Sequence, residues 1–474
     1  MKHKRNLIQI LLLCAAMLPA VVQAQTYTDS YGIWGYTTNN GSITITNYTG
    51  SIGAVTIPTN INGLIVTSIG VKAFYHCTSL NNVTIGTNVT SIGDYAFYFC
   101  AHLINVTIGT NVTSIGNNAF NNCTHLNSVT IPNSVTNIGV QAFYNCTSLN
   151  SVTIPNSITS IGTNVFYSCG LTSVTIPNSV TNIEDWAFDG CTSLTNVTIS
   201  TNVTSIGDGA FAYCTHLINF TIGASVTSIG NYAFYSCISL TSVTIPNNVT
   251  NIGYSALGGC TGLSAIPVNP SNSVYSSLAG VLFNRSQTTL VEYPAGTVGS
   301  YVIPNSVTNI ADYAFYVCSS LTSVTIPNSV NSIGDSAFFD CYSLTNVFFH
   351  GNAPSLYSSY VFEAGDGGSD PATVYYLPGT TGWDVFSGTS YPIPVVLWDP
   401  NSQDLGLYFG VGGNQFGFTI TGAPDIPVVV EACTNLASPV WTALQTFTLT
   451  DGSVDFSDPD WTNYPSRFYR LSAP

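Results

Sequence analysis

Leu149-Asn-Ser-Val-Thr-Ile-Pro-Asn-Ser-Ile-Thr-Ser-Ile-Gly-Thr-Asn-Val-Phe-Tyr-Ser-Cys169 is one of eleven variants of a single phrase written along the middle of the chain. The phrase returns every 23 residues, as its cysteines record: Cys77, Cys100, Cys123, Cys146 and Cys169, then Cys191, Cys214, Cys237 and Cys260, then Cys318 and Cys341. One step, Cys169 to Cys191, is 22 residues; another, Cys260 to Cys318, is 58 and marks a single enlarged coil. Phenylalanine keeps the same beat from Phe74 to Phe338, with Leu257 as the one substitute. A fixed short period of this kind means a solenoid, because one unit is too small to bury its apolar face alone.

Within a unit, Val83-Thr-Ile85 alternates in, out, in, and Gly or Pro follows where the chain must turn. Val89-Thr-Ser-Ile92 returns two apolar groups to the interior along another side. Gly93-Asp94 opens a short turn in which Asp or Asn suits capping of backbone amides. Ala96, Phe97, Cys100 and Leu103 complete the interior.

The ends and the composition bound the function. Residues 1–24 run from Lys2, Lys4 and Arg5 through an apolar stretch to Val22-Gln23-Ala24, the order of a secretory signal peptide cleaved after Ala24. The remaining chain carries 4 basic and 22 acidic side chains, a net charge of −18. Nucleic acid and anionic lipid need clustered Lys and Arg, so both are poor partners; no nucleic-acid partner and no transmembrane segment in the mature chain are expected. Export favours disulfides, yet the ladder cysteines are odd in number. Equivalent residues on neighbouring coils also sit about 4.8 Å apart, wider than a disulfide wants. A buried column of reduced thiols is expected, and a line of thiols does not converge on a metal.

Residues 25–53 alternate apolar and polar groups around Asn39-Asn-Gly41, a hairpin signal read as an amino-terminal cap. The array is placed at 54–349, with the enlarged coil at 264–303 expected to project two short strands from the stack. Residues 350–400 read as a carboxy-terminal cap and linker, and 401–474 as a small β-sandwich domain.

On these residues the chain resembles the BspA-type leucine-rich repeat family, with Leu149–Cys169 matching its repeat except that Val165 replaces Ala. The resemblance spans 54–349. It implies a right-handed solenoid with a parallel sheet on its concave side, in a family of secreted or surface proteins associated with adhesion and protein binding. The expected fold is therefore an α/β-type solenoid dominated by β-strands and short turns, followed by the small all-β domain.

Two surfaces are candidates for ligand contact. One is the outward column of threonines on the sheet, Thr130, Thr153, Thr175 and Thr198, with Ser323 and Thr325 taken as later rungs; threonine is equally a good β residue that bonds its cross-strand twin. The other is an aromatic stripe including Tyr144, Tyr167, Trp186 and Tyr235, where ring anchors for a partner and simple shielding of the turns are both open. His102, His125 and His216 share one turn position. Glu363-Ala-Gly-Asp366-Gly-Gly-Ser-Asp370 departs from the spacing of a calcium loop. Trp441, Trp461, Tyr464 and Tyr469 in the tail suit either sugar stacking or a small core. No catalytic constellation, cofactor motif or metal set is legible. The expectation is a non-enzymatic, secreted or cell-surface protein that contacts extracellular protein or polysaccharide, or else a structural envelope component without a specific ligand.

Overall fold

The computed structural model describes residues 24–358, 360–364, 368–369, 371–386, 393–403, 410–412, 415–423 and 425–472. The proposed signal peptide lies, but for Ala24, outside the described residues. Two compact units divide between Cys214 and Thr215. Among the described residues there is no α-helix, only the 3-10 turns Trp383–Phe386 and Trp461–Asn463.

The first unit opens with Gln25–Thr28, Ile33–Asn39 and Ser42–Thr49 in antiparallel order. Asn40 and Gly41 take φ values of 47° and 81°, the pair of positive values that a two-residue hairpin turn with native twist requires. Coils follow, each giving one strand to each of two parallel ladders. One ladder joins Ala54–Thr56, Asn82–Thr84, Asn105–Thr107, Ser128–Thr130 and Ser151–Thr153. The other joins Leu64–Ile69, Ser91–Ile92, Ser114–Ile115 and Asn137–Ile138. Like pairs with like: Val129 faces Val152 and Ile115 faces Ile138.

Register stacks the interior. Phe74, Phe97, Phe120, Phe143, Phe166, Phe188 and Phe211 form an unbroken pile with centroid separations of 4.8 to 5.6 Å and interplanar angles no larger than 15°. Each ring is buried, and offset stacking adds about 0.5–1.5 kcal/mol per pair beyond burial. Trp34 and Tyr48 of the hairpin meet the first ring at 6.0 and 5.1 Å. Buried thiols run beside the pile. Cys100, Cys123, Cys146 and Cys169 each donate to the carbonyl of a phenylalanine one coil back, at 3.1–3.2 Å.

The turns are held by bonds from coil to coil. Tyr95, Phe97 and Phe99 donate their amides to Asn117, Ala119 and Asn121 on the next coil. Asp94 Oδ1 accepts the amide of Asn117 at 2.7 Å, and Asp185 Oδ1 that of Asp208 at 2.9 Å. The expected Asp and Asn caps therefore serve the following coil. Close stacking explains the usual glycine: a Cβ on Gly116 would lie 2.6 Å from the Asp94 nitrogen.

In the second unit, the enlarged coil does not project. Tyr275–Leu278, Val281–Asn284 and Thr289–Glu292 form an antiparallel meander. Its last strand pairs in parallel with Asn309–Ile310, and Phe283 and Leu290 are fully buried. The two strands expected to stand out carry too much apolar surface to leave the core. Glu292 repairs the mismatch in length. Phe234 gives its amide to the carbonyl of Ala256 and Tyr293 gives its own to Ala314, whereas the Leu257 amide goes to the side-chain Oε1 of Glu292 at 2.9 Å.

Later coils build a parallel sheet of Gly299–Val302, Leu321–Ile326, Asn346–Phe349, Thr373–Tyr376 and Val395–Leu397. Phe362 continues the ring pile on Phe338 at 5.1 Å. In the tail, Gln415–Thr421 pairs with Ser453–Asp458, and Pro427–Cys433 lies between Thr442–Thr448 and Phe468–Ser472. Ile420, Ile426, Val428, Val430 and Phe456 form its core.

Candidate binding surface

Thr130, Thr153, Thr175 and Thr198 are all exposed, each the third residue of its strand, beside inward-pointing Val129, Val152, Val174 and Val197. Threonines elsewhere in the coil spend their hydroxyls: Thr90 donates to the Thr67 carbonyl at 3.1 Å and Thr113 to that of Thr90 at 3.0 Å. Among the described residues no hydrogen bond engages the four sheet-face hydroxyls, so the cross-strand bonding that would make them purely structural is not formed.

The 22-residue step changes this face. Cys146-Thr-Ser-Leu149 becomes Cys169-Gly-Leu171, one residue shorter. Gly170 is forced, since a Cβ there would lie 2.3 Å from the Thr147 carbonyl oxygen. The first ladder ends at Ser151–Thr153, and Ser173–Thr175 starts a separate pair with Asn196–Thr198. On the other side of the coil, Ser160–Ile161 and Asn182–Ile183 remain paired. Glu184, standing where glycine is usual, reaches back to the Ser160 hydroxyl at 2.7 Å and the Thr163 amide at 3.1 Å. The short coil is thus pinned on one side and opened on the sheet side.

The opening is a groove of about 690 Å³ with Thr153, Thr175, Thr198 and Thr201 among its lining and no charged side chain. Ser200, replacing the usual proline, lies at its wall with a buried Oγ that has no partner. Three of the four predicted threonines meet in this groove, and Thr130 stands on the strand beyond, paired in register with Ser151–Thr153. The groove itself was missed, although the step of 22 and the Pro-to-Ser change at Ser200 were its signals.

The aromatic stripe lies on the turns and does not line the groove. Tyr144 and Tyr167 stack on each other at 4.5 Å and 4°, both half-buried. Trp186 has a φ of 56°, and its ring fills the space over Gly209, where a Cβ would approach to 2.1 Å. Tyr235 belongs to the second unit and packs on Tyr316 at 5.6 Å. Tyr144 and Tyr235 thus each face another tyrosine ring, whereas Trp186 lies over a glycine of the next coil. His102 and His125 bond the carbonyls of Thr78 and Ala101 through Nδ1, as turn residues. Asp366 and Asp370 of the acidic run lie outside the described residues.

Ser323 and Thr325 correct the sequence reading. Both are buried, at 7% and 8% exposure. In register with Thr325 stand Phe348 and then Tyr375, and these rings enter the core of the tail with Ile426 and Val430. The outward position turns aromatic where the tail covers the sheet.

Buried acids and thiols are perturbed. Desolvation pushes Glu292 up to about 8 and Asp189 up to about 6. The Cys191 thiol rises to about 12 and Cys77 to about 11 by the same cause, which removes the thiolate that nucleophilic or redox work needs. Among the described residues no group of three or more His, Cys, Asp or Glu could hold a metal ion, and no helix is long and apolar enough to cross a membrane.

The model of the BspA type Leucine rich repeat region, in 6 copies, matches residues 44–172, 159–279 and 294–366, more than half of the chain. A leucine-rich repeat protein from Bacteroides ovatus is 25% identical over 79% of this chain and 100% of its own, with a TM-score of 0.52. A leucine rich cell surface protein from Faecalibacterium prausnitzii is 28% identical over 79% of this chain and 95% of its own, with a TM-score of 0.47. The T. pallidum leucine rich repeat protein is 27% identical over 50% of this chain and 91% of its own, with a TM-score of 0.34. Among curated proteins no match is found.

Proposed function

The chain belongs to the BspA-type leucine-rich repeat family, and from that premise we propose that it is an exported, non-enzymatic binding or adhesion protein whose sheet face meets a protein or glycan ligand. The observation that carries this reading is the file of Thr130, Thr153, Thr175 and Thr198, exposed and with hydroxyls unspent, three of them converging on one uncharged groove. A ligand offering hydroxyls or amides at the coil repeat engages several rungs at once, and linked weak contacts add up to useful avidity. The lack of charge in the groove favours a neutral polar ligand. Export rests on the basic, apolar and small-residue order of residues 1–24, and places the mature chain outside the cell or on its surface. Residues 25–53 then close one end of the array at 54–349, residues 350–400 lead out of it, and the tail from 401 is a second module.

The alternative is a structural envelope or matrix component. Aromatic files that spend their rings on each other, as Tyr144 and Tyr167 do, favour that reading at the turns. Arrays of glycans and matrix proteins probed with the mature chain separate the two. Saturable binding, reduced at least tenfold by combining Thr153→Val and Thr175→Val, is expected; uniformly negligible binding assigns the chain to the matrix.

A further inference from the structure

We propose that the carboxy-terminal β domain carries a separate site for an acidic polysaccharide, in the groove beside the strand Phe468–Ser472. The groove holds about 420 Å³ and is lined by Phe416, Trp441, Arg467, Phe468, Tyr469 and Arg470 among others. After residue 24 the whole chain has four cationic side chains, Lys72, Arg285, Arg467 and Arg470, and two of them are here.

Each guanidinium is fixed twice. Arg467 Nε meets Asp458 Oδ2 at 3.1 Å while its plane lies 4.2 Å from the Tyr464 ring. Arg470 Nε meets Glu431 Oε2 at 2.6 Å and lies 4.6 Å from the Trp441 ring. Both carboxylates hold the Nε side. Arg467 is only 10% exposed, and its Nη1 has no hydrogen-bond partner, a costly state for a buried charged donor. Asp458 is also shared, since it accepts the Tyr469 hydroxyl at 2.7 Å. Arg470, with 48% of its side chain exposed, is a preset fork whose Nη edge matches the oxygens of a carboxylate or sulfate, and Arg467 stands beside it with its unsatisfied buried donor.

The rest of the lining is aromatic and suits the apolar face of a sugar ring. A net charge of −15 over the full chain repels densely charged nucleic acid, whereas an acidic glycan spaces its anions one or two sugars apart. This site is independent of the sheet face.

Titration calorimetry on the full mature chain tests it with oligogalacturonate, a kappa-carrageenan oligosaccharide (one sulfate per two sugars) and neutral dextran as probes. At least one acidic probe is expected to bind tenfold or more tighter than dextran and to weaken with salt; which one does so names the oxyanion. Arg470→Met and Trp441→Leu should each reduce that affinity about tenfold, and Arg470→Lys, which keeps charge but loses the fork, by less. Arg470 is exposed, so its variants are expected to fold, with unchanged circular dichroism as the check. Equal binding of dextran, binding of no probe, or wild-type affinity in folded Arg470→Met overturns the proposal. So does loss of the acidic probe in the Thr153→Val, Thr175→Val pair instead of in Arg470→Met.

Discussion

The sheet face reads differently at two places along the chain. In the first unit the outward residues Thr130, Thr153, Thr175 and Thr198 are open to solvent; in the later coils of the second they are Thr325, Phe348 and Tyr375, with 8%, 2% and 6% of their surface exposed. The inward residues do not differ in kind: Val129 and Val152 in one place match Val324, Val347 and Val374 in the other. The interior therefore builds the coil, and the outward residue decides whether the face stays wet or is covered. Rings at that position give the tail apolar surface to bury, whereas a threonine column keeps the face soluble and available.

The largest expected effect probes what the two places share. Phe143→Ala and Phe338→Ala each remove one ring from a continuous pile and should cost about 3–5 kcal/mol, measured by denaturant unfolding. A large loss in one unit and almost none in the other would break the claim of a common interior.

Glu292 sharpens the contrast between regular and enlarged coils. Its folded pKa of about 8 lies above the ordinary 4.5, so the carboxyl is protonated when folded and ionised when unfolded over the interval between them. Its contribution to stability is fully present below about 4.5 and is lost as pH rises to about 8. Glu292→Gln should flatten that fall and raise stability at pH 8 by a few kcal/mol, on the order of what one to three pKa units represent. Unfolding midpoints at pH 5 and pH 8 are the check, and parallel pH dependence in both proteins would contradict it.

Next in size is the covering itself. Phe348→Thr restores the regular outward residue, and by analogy with large-to-small core changes should cost about 2–4 kcal/mol. It should also speed amide exchange in Leu321–Ile326 and Pro427–Cys433. Unchanged exchange would mean that the ring does not hold the tail.

Smallest in stability is Thr175→Val, within about 0.5 kcal/mol as for exposed sites generally, while ligand binding on this face falls. Restoring the missing residue after Gly170 should likewise close the groove and weaken binding with little change in midpoint.

Most of the fold was legible because the period fixes which residues stack. Phe97, Phe120 and Phe143 fall in one pile for the same reason that their cysteines fall 23 apart. Local pattern could not show what lies over a surface. Ser323 and Thr325 have the composition of open rungs yet are buried; Phe348 and Tyr375, in register with Thr325 and packed into the tail's core, were the available clue. The groove escaped for a related reason. A one-residue deletion changes hydrogen bonding between coils, which no single unit displays, and Glu184 pins the opposite side so that the stack survives it. Trp186 and Tyr235 stay open between anchoring a partner and shielding the turns, because aromatic residues at a regular interval look alike in either role.

Cysteine labelling tests the central claim most directly. Among the described residues the native thiols are buried apart from the part-exposed Cys77, so maleimide uptake in folded protein reports an introduced cysteine against a low background. Thr130→Cys, Thr153→Cys, Thr175→Cys and Thr198→Cys should label at rates near those of an exposed thiol, and Thr325→Cys should be protected by at least tenfold. Equal rates at all five positions would contradict the account.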